Sequence, residues 1–190
     1  MLVSHKPAVA TPAGGYFFAR TPDNMKRIPL LGGGYAVVDD EDEALVGADG
    51  WRKMESKPGF FYAVSCRGPH RQALMHRVIL KASAGQVVDH VNHSGLDNRR
   101  SNLRICSNSQ NMANQFKRAG VSSRFKGVSA RPRSSGTMWK AAIEHDGQTI
   151  HLGTFSEEER AARQYDRAAR LLFGEFSLTN EKMGLLERRP

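Results

Sequence analysis

Asp89 and His90 stand side by side, Asn111 and Asn114 follow further along, and Arg99, Arg100 and Arg104 lie between them. A carboxylate, an imidazole and carboxamides set among arginines suit one kind of chemistry. Hard divalent ions prefer oxygen donors, so Asp89 and the side-chain oxygen of Asn111 would hold one such ion, with water and a substrate phosphate completing its shell. Neighbours in an extended segment project to opposite sides, which lets Asp89 face a cation while His90 faces an incoming water. A neutral imidazole takes up a proton near neutral pH, which makes His90 the candidate general base for attack on a phosphodiester. The ion would stabilise charge on the transition-state phosphate and on the departing 3′ oxygen. The arginines would keep phosphates in register.

Composition narrows the alternatives. Between Lys57 and Ile143 the acids are Asp89 and Asp97 alone, too few for a two-metal nuclease centre or a paired-carboxylate glycosidase. The 190 residues carry 28 Lys and Arg against 19 Asp and Glu, a formal charge of +9 with a pI near 9.9. That excess is concentrated: residues 61–120 hold 9 basic and 2 acidic side chains, whereas residues 1–60 hold 7 and 8. A block of this kind suits a polyanion, most simply nucleic acid. Two cysteines, Cys66 and Cys106, exclude a disulfide scaffold or a C-x-x-C zinc ribbon and fit a reducing compartment. No apolar run approaches the roughly 20 residues of a membrane span. Pro7 and Pro12 break the opening stretch, so no secretion signal is read there and an intracellular setting is expected.

The elements that must carry these residues follow from the patterning. Residues 1–27 lack periodicity and read as a flexible lead-in. Residues 35–38, 60–64 and 73–80 read as short strands of a small sheet. Residues 86–88 lead as a strand into Asp89 and His90, a polar loop follows, and residues 103–105 form a second strand. Ser107 and Gln110 have the spacing of a helix capping box, and a helix over 108–117 places Asn111 and Asn114 one turn apart on one face. Beyond Gly120, residues 126–131, 139–144 and 149–152 read as three strands, with Asp146-Gly147 as a tight turn. A second capping box, Ser156 to Glu159, opens a helix to Phe173 whose apolar stripe is Ala161, Ala162, Tyr165, Ala168, Ala169 and Leu172. Gly174 is its stop. Glu159 with Arg163, and Asp166 with Arg170, predict a solvated face of i,i+4 ion pairs. His5, His70, His93, His145 and His151 are read as surface or structural residues, Asn92, Asn98 and Asn108 as turn formers, and Cys106 as packing. His76 is left between supporting the loop and contacting phosphate.

Asp89-His90, eleven residues, Asn102-Leu103-Arg104, six residues, then Asn111-x-x-Asn114 resembles the HNH homing-type endonucleases of the phage- and intron-encoded branch. Met75-His76-Arg77 and Leu96-Asp97-Asn98-Arg99 add to the likeness, and the segment before them looks like the module that often precedes this motif. The resemblance implies a ββα-metal fold. It implies Asp89 and Asn111 as ligands of one divalent ion, Mg²⁺ or Mn²⁺, His90 as general base, and Asn102 as the residue pinning the loop. It also implies the cytoplasm of a host cell as the setting, if the chain is phage-encoded. The C-terminal stretch is similar to the plant ethylene-response-factor DNA-binding domain, AP-two type, through Lys126-Gly127-Val128, Arg131-Pro132, Trp139, Leu152-Gly153-Thr154-Phe155 and the run from Tyr165 to Ala169. That family lays a three-stranded sheet, braced by a helix, in the major groove, and a β-ribbon fits that groove. Ser129 and Glu144 stand where the family usually has arginine, Arg133 where it has tryptophan and Ala142 where it has glutamate.

The expected fold is therefore α+β: a small N-terminal β module leading into a ββα-metal nuclease motif, then a three-stranded antiparallel sheet packed on one amphipathic helix. Its expected parts are a lead-in (1–27), an N-terminal β module (28–80), the nuclease motif (75–117), a linker (118–123), the ethylene-response-factor-like domain (124–180) and a tail (181–190). DNA contacts are expected from Arg99, Arg104, Lys126, Arg131, Arg133, Trp139 and Lys140, with a place in the core as the rival role for Trp139. The expected activity is metal-dependent nicking or cutting of double-stranded DNA, the linker raising the local concentration of the catalytic motif. Double-stranded DNA is the expected partner, with no membrane and no protein partner implied. A rival reading is a sequence-specific DNA-binding regulator with an idle nuclease motif. RNA binding is disfavoured, because no aromatic base-stacking sheet is evident.

Overall fold

Strand β1 (Met25–Leu31) is the first element of the computed structural model, which describes residues 24–117 and 122–187. Expectations for residues 1–23, 118–121 and 188–190 lie outside the described residues. β1 pairs antiparallel with β2 (Tyr35–Asp39) and, through Leu30 and Leu31, runs parallel to β3 (Gly50–Lys57), which forms a hairpin with β4 (Phe60–Arg67). The resulting order is β2-β1-β3-β4. Met25 to Arg27, expected in the lead-in, are thus part of a strand. A one-turn helix α1 (Glu43–Val46) covers this sheet, and Trp51 fills the space beneath it, donating its indole N–H to the Val46 carbonyl at 2.9 Å. Residues 73–80, expected as a strand, instead bridge the sheet at Leu74 and turn into helix α2 (Met75–Ile79). Met75, Val78 and Ile79 carry the i, i+3, i+4 spacing of a helix, and all three are buried in the core with Ile28, Val38 and Trp51. The β-branched Val78 and Ile79 gave this turn its strand-like composition.

The next unit is β5 (Val87–His90), a loop, β6 (Leu103–Cys106) and helix α3 (Asn108–Asn114). β5 and β6 are antiparallel, with Asp89 opposite Arg104 and His90 opposite Leu103. Ser107 and Gln110 satisfy each other's backbone amides in a complete capping box, which fixes where α3 starts. The loop is anchored to the first sheet: Val37 donates to the Leu96 carbonyl, and Asn98 donates to the Val37 carbonyl. Arg100 adds a second anchor, its amide on Asp39 and its guanidinium forked onto Asp42, 58 residues away.

In the C-terminal unit, β7 (Val128–Arg133), β8 (Gly136–His145) and β9 (Gln148–Phe155) form an antiparallel sheet in sequence order, backed by helix α4 (Glu158–Phe173). Asp146 and Gly147 both have positive φ, as a two-residue hairpin of the tightest type requires. Helix α4 has no side-chain cap at its start, so the box expected between Ser156 and Glu159 does not form; Glu159 pairs with Arg124, and Glu158, inside the first turn, accepts from Ser123. The expected i,i+4 pairs on α4 are likewise replaced. Asp166 is fully buried and accepts from the backbone of Asn180 and Glu181, while Arg163 and Arg170 both pair with Glu181 and Glu159 pairs with Arg124. The chain after the helix folds back over it, so Leu185 and Leu186, expected in a tail, pack with Phe125 and Ala161.

The two units are in direct contact, beyond the tether the linker expectation supplied. Ala113 of α3 is buried among Ile143, Tyr165, Ala169 and Phe173. Lys126 donates to the Ala113 and Gln115 carbonyls at the end of α3, and Lys117 reciprocates to the Phe125 and Val128 carbonyls. Gly127 (φ 74) lies where a Cβ would sit 1.8 Å from the Tyr165 ring. Gly127→Ala is therefore expected to lower stability by about 2 kcal/mol or more, from both strain and overlap. A urea midpoint equal to the parent chain's would show that the Tyr165 ring yields freely.

Candidate active site

One crevice, of about 360 Å³, gathers Asp89, His90, Asn111 and Asn114 under the rims formed by Tyr62 and Phe116. Asp89 arrives from β5, and its carboxylate is held from two sides. Asn114 donates Nδ2 to Oδ1 at 3.0 Å and to Oδ2 at 2.9 Å, and Arg104 donates Nε and Nη2 to Oδ2 at 2.9 and 2.7 Å. Oδ1 thus takes one hydrogen bond and keeps lone pairs for another partner. Asn111 sits one turn before Asn114 on α3, half-buried, and lines the same crevice. Carboxylate and carboxamide oxygens with no thiolate beside them fit a hard ion such as Mg²⁺ or Mn²⁺. A second acidic group, Asp39, Glu41 and Asp42, also has its oxygens close together. Arg100 is bound across all three, and that group serves as its anchor.

His90 is buried, and the Asn98 carboxamide oxygen lies 3.4 Å from its Nε2. A proton on Nε2 would pair with this oxygen and leave Nδ1 as the basic nitrogen. Burial pulls the His90 pKa below the ordinary histidine value, partly opposed by Asn98 and by the charge of Asp89. Burial thus favours the neutral imidazole. His76 stands edge-on to it at 5.0 Å between ring centres, and Tyr62 packs against both. Burial, then the neighbouring His90 and Arg77, lower the His76 pKa to about 3. Among the described residues its Nδ1 and the Asn98 Nδ2 are sealed from solvent without a hydrogen-bond partner, and His76 packs against the His90 ring. Asn98, read from the sequence as a turn former, is fully buried and carries the His90 contact. The signal was its place in the Leu96-Asp97-Asn98-Arg99 segment. Asn114 shares a face of α3 with Asn111, as the spacing predicts, and its partner Asp89 lies 25 residues back in the chain.

Asn102 spans the loop: its oxygen accepts from the Asn92 amide at 2.9 Å and its Nδ2 donates to the Asp97 carbonyl at 2.7 Å. Arg99 forks onto Asp97 at 2.7 and 2.6 Å. Burial pushes the Asp97 carboxyl up, but the Arg99 hydrogen bonds and charge outweigh it and hold the group below its usual range. Arg104 is spent on Asp89. His93 adopts a positive φ in this loop and packs its ring on Phe116 at 4.3 Å, beside the crevice.

The C-terminal sheet presents a second candidate surface. Side chains alternate across strands. Arg131, Arg133, Lys140, His151 and Thr154 share the face turned away from α4 and line a shallow hollow of about 450 Å³. Trp139, one residue out of phase with Lys140, packs instead toward the Phe125, Val128 and Ala141 core. Lys126 is also removed from that face, because its ammonium is bound to the carbonyls ending α3, and burial lowers its pKa to about 8. Of the five residues expected to touch DNA from this domain, three lie on the open face and two point inward.

Residues 73–113 match the HNH endonuclease family model. The chain is 30% identical over 162 residues to an uncharacterized HNH endonuclease of Acanthamoeba polyphaga mimivirus, a likeness covering 84% of this chain and 83% of that protein. It is also 40% identical over 78 residues to an AP2/ERF and B3 domain-containing transcription repressor of Arabidopsis thaliana, covering 41% of this chain but 21% of the relative. A rice protein, described as a putative AP2/ERF and B3 domain-containing protein, is 44% identical over 59 residues, 31% of this chain and 18% of its own. No solved structure matches the chain.

The neutral His76 has a measurable cost. Unfolded chain binds a proton at this residue below about pH 6.5, whereas the folded chain does so only near pH 3. The unfolded state thus holds more protons between those values, and stability is present above pH 6.5 and lost on acidification. The slope from this group is at most about 1.4 kcal/mol per pH unit. Urea denaturation across that window is expected to show a shallower acid decline for His76→Phe than for the parent chain; parallel curves would mean that His76 protonates while folded.

Proposed function

The chain belongs to the HNH endonuclease family and is a phosphodiester hydrolase, and on that premise we propose that it nicks or cuts double-stranded DNA with the help of one divalent ion, Mg²⁺ or Mn²⁺. Asp89 and Asn111 would hold the ion, which supplies charge stabilisation at the transition-state phosphate and the departing 3′ oxygen. The observation that supports this reading is the convergence of Asp89, His90 and Asn111 on one crevice. His90 takes the proton from the attacking water at Nδ1, while Asn98 holds Nε2–H and thereby the ring's orientation. Asn114 and Arg104 keep the Asp89 carboxylate from rotating. Tyr62, pushed up in pKa by burial and by Asp89, stays neutral and walls the base from solvent on one side.

Arg131, Arg133 and Lys140 are the residues we assign to DNA contact, on the open face of the C-terminal sheet. Such contacts to phosphate position the duplex and, if made to base edges, choose the site. The packing of α3 against the C-terminal core supports a fixed offset between that face and the crevice. Resemblance to the phage- and intron-encoded branch, together with a viral relative, supports an enzyme of homing type working inside a host cell.

Supercoiled plasmid incubated with the protein and Mg²⁺ is expected to be nicked or linearised, and EDTA to stop the reaction. His90→Ala is expected to lose about 10²–10⁴-fold in rate while still retarding DNA on a gel. Nicking at the parent rate by that variant would remove His90 from the mechanism. On the binding side, replacing Arg131, Arg133 or Lys140 by Ala is expected to weaken DNA affinity. Each lost phosphate contact lowers the slope of log K against log salt by about 1. A triple variant with parent affinity and slope would show that DNA lies elsewhere.

A further inference from the structure

Arg104 brings a full positive charge against the very carboxylate assigned to a cation. Its place on β6 is directly across from Asp89, and its side chain is largely buried, with 13% of its surface exposed. The guanidinium is also held from behind. Its Cζ lies 4.1 Å from the centre of the Phe176 ring, and its Nη1 donates to the Glu175 carbonyl at 3.2 Å. Phe176 and Glu175 form the short turn that follows α4, so this seat is provided by the C-terminal unit. A cation stacked on an aromatic face and forked onto a carboxylate is fixed at both ends.

Two consequences of opposite sign follow from such a charge. As an anchor it orients Asp89, leaving Oδ1 turned to a single hydrogen bond. As a charge it repels any divalent ion that approaches the same carboxylate. A DNA phosphate entering the crevice changes the balance, because guanidinium forks onto phosphate as readily as onto carboxylate. Phosphate also contributes an oxygen to the ion's shell. Resting on the reading of Asp89 as a metal ligand, we propose that Arg104 is a resident counter-charge that keeps metal affinity low until DNA draws the guanidinium toward a phosphate, and that the C-terminal unit, through Phe176 and Glu175, holds it in that position. Metal loading and DNA seating are then linked, and by the reciprocity of linkage the ion tightens DNA binding by the same factor.

The test is Mn²⁺ binding to the metal-free full-length chain, read from the electron paramagnetic resonance signal of the free ion, so that no turnover is needed. Without DNA, Arg104→Met is expected to bind Mn²⁺ more tightly, on the order of tenfold, from removal of one adjacent charge. Arg104→Lys, which keeps the charge, is expected to stay near the parent affinity. Phe176→Leu keeps apolar volume but loses the aromatic face, and is expected to tighten binding by a smaller factor. In a His90→Ala background, a short duplex, corrected for ion bound by DNA alone, is expected to tighten Mn²⁺ binding, and Arg104→Met to abolish that gain. A purely structural Arg104 gives the reverse sign: its loss disorders Asp89 and weakens Mn²⁺. A folded Arg104→Met protein with equal or weaker Mn²⁺ binding overturns the counter-charge role, and a Phe176→Leu affinity equal to the parent's overturns the seating by the C-terminal unit. Asp89→Asn separates the two levels. Loss of Mn²⁺ binding there upholds the metal reading whatever Arg104 does, whereas undiminished binding takes down both.

Discussion

The Asp89 carboxylate is the point on which the rest of the molecule converges. It belongs to one strand, is held by an arginine from the strand opposite and by an asparagine from the helix that follows, and reaches the C-terminal unit through that arginine. A buried carboxylate without such partners would cost several kcal/mol. The hydrogen bonds that compensate this burial are the same ones that aim it. Orientation for chemistry and the energetics of folding are therefore met by one set of contacts.

His90 follows a parallel logic with a different polarity. Its surroundings are aromatic and largely dry, with Tyr62 and His76 packed on the ring, so the uncharged form is favoured. The amide oxygen of Asn98 lies 3.4 Å from its Nε2. The loop bearing Asn98 is tied to β2 by backbone pairing at Val37 and to Asp39 and Asp42 by Arg100. The N-terminal sheet thus acts on the site through the placement of that carboxamide and, from β4, through Tyr62.

Much of this was legible in the sequence, for a physical reason. Asp89, His90, Asn102 and Asn111 stand out because chemistry dictates their types and because strand, loop and helix dictate their spacing. The capping box at Ser107 was equally readable, since its two partners are three residues apart. What escaped notice depends on contacts between distant segments. Asn98 looks like any turn asparagine until its neighbour eight residues back is folded over it. Lys126 and Trp139 match a DNA-contact pattern, yet strand parity and a nearby helix end turn them inward. The Asp166 to Arg170 spacing is ideal for a surface pair, but Asp166 is needed at the backbone of Asn180. The α2 segment reads as a strand because its five residues hold too little pattern to separate a helical turn from a strand.

Lys117 and Lys126 cross between the two units in opposite directions, each ending on main-chain oxygens of the other. Prying the units apart would exchange these four hydrogen bonds for bonds to water and bare the apolar contacts around Ala113. The pair works as a double stitch along the apolar seam formed by Ala113, Ile143, Tyr165, Ala169 and Phe173. A chimera that grafts the C-terminal sheet and helix onto an unrelated enzyme would inherit the fabric but not the seam.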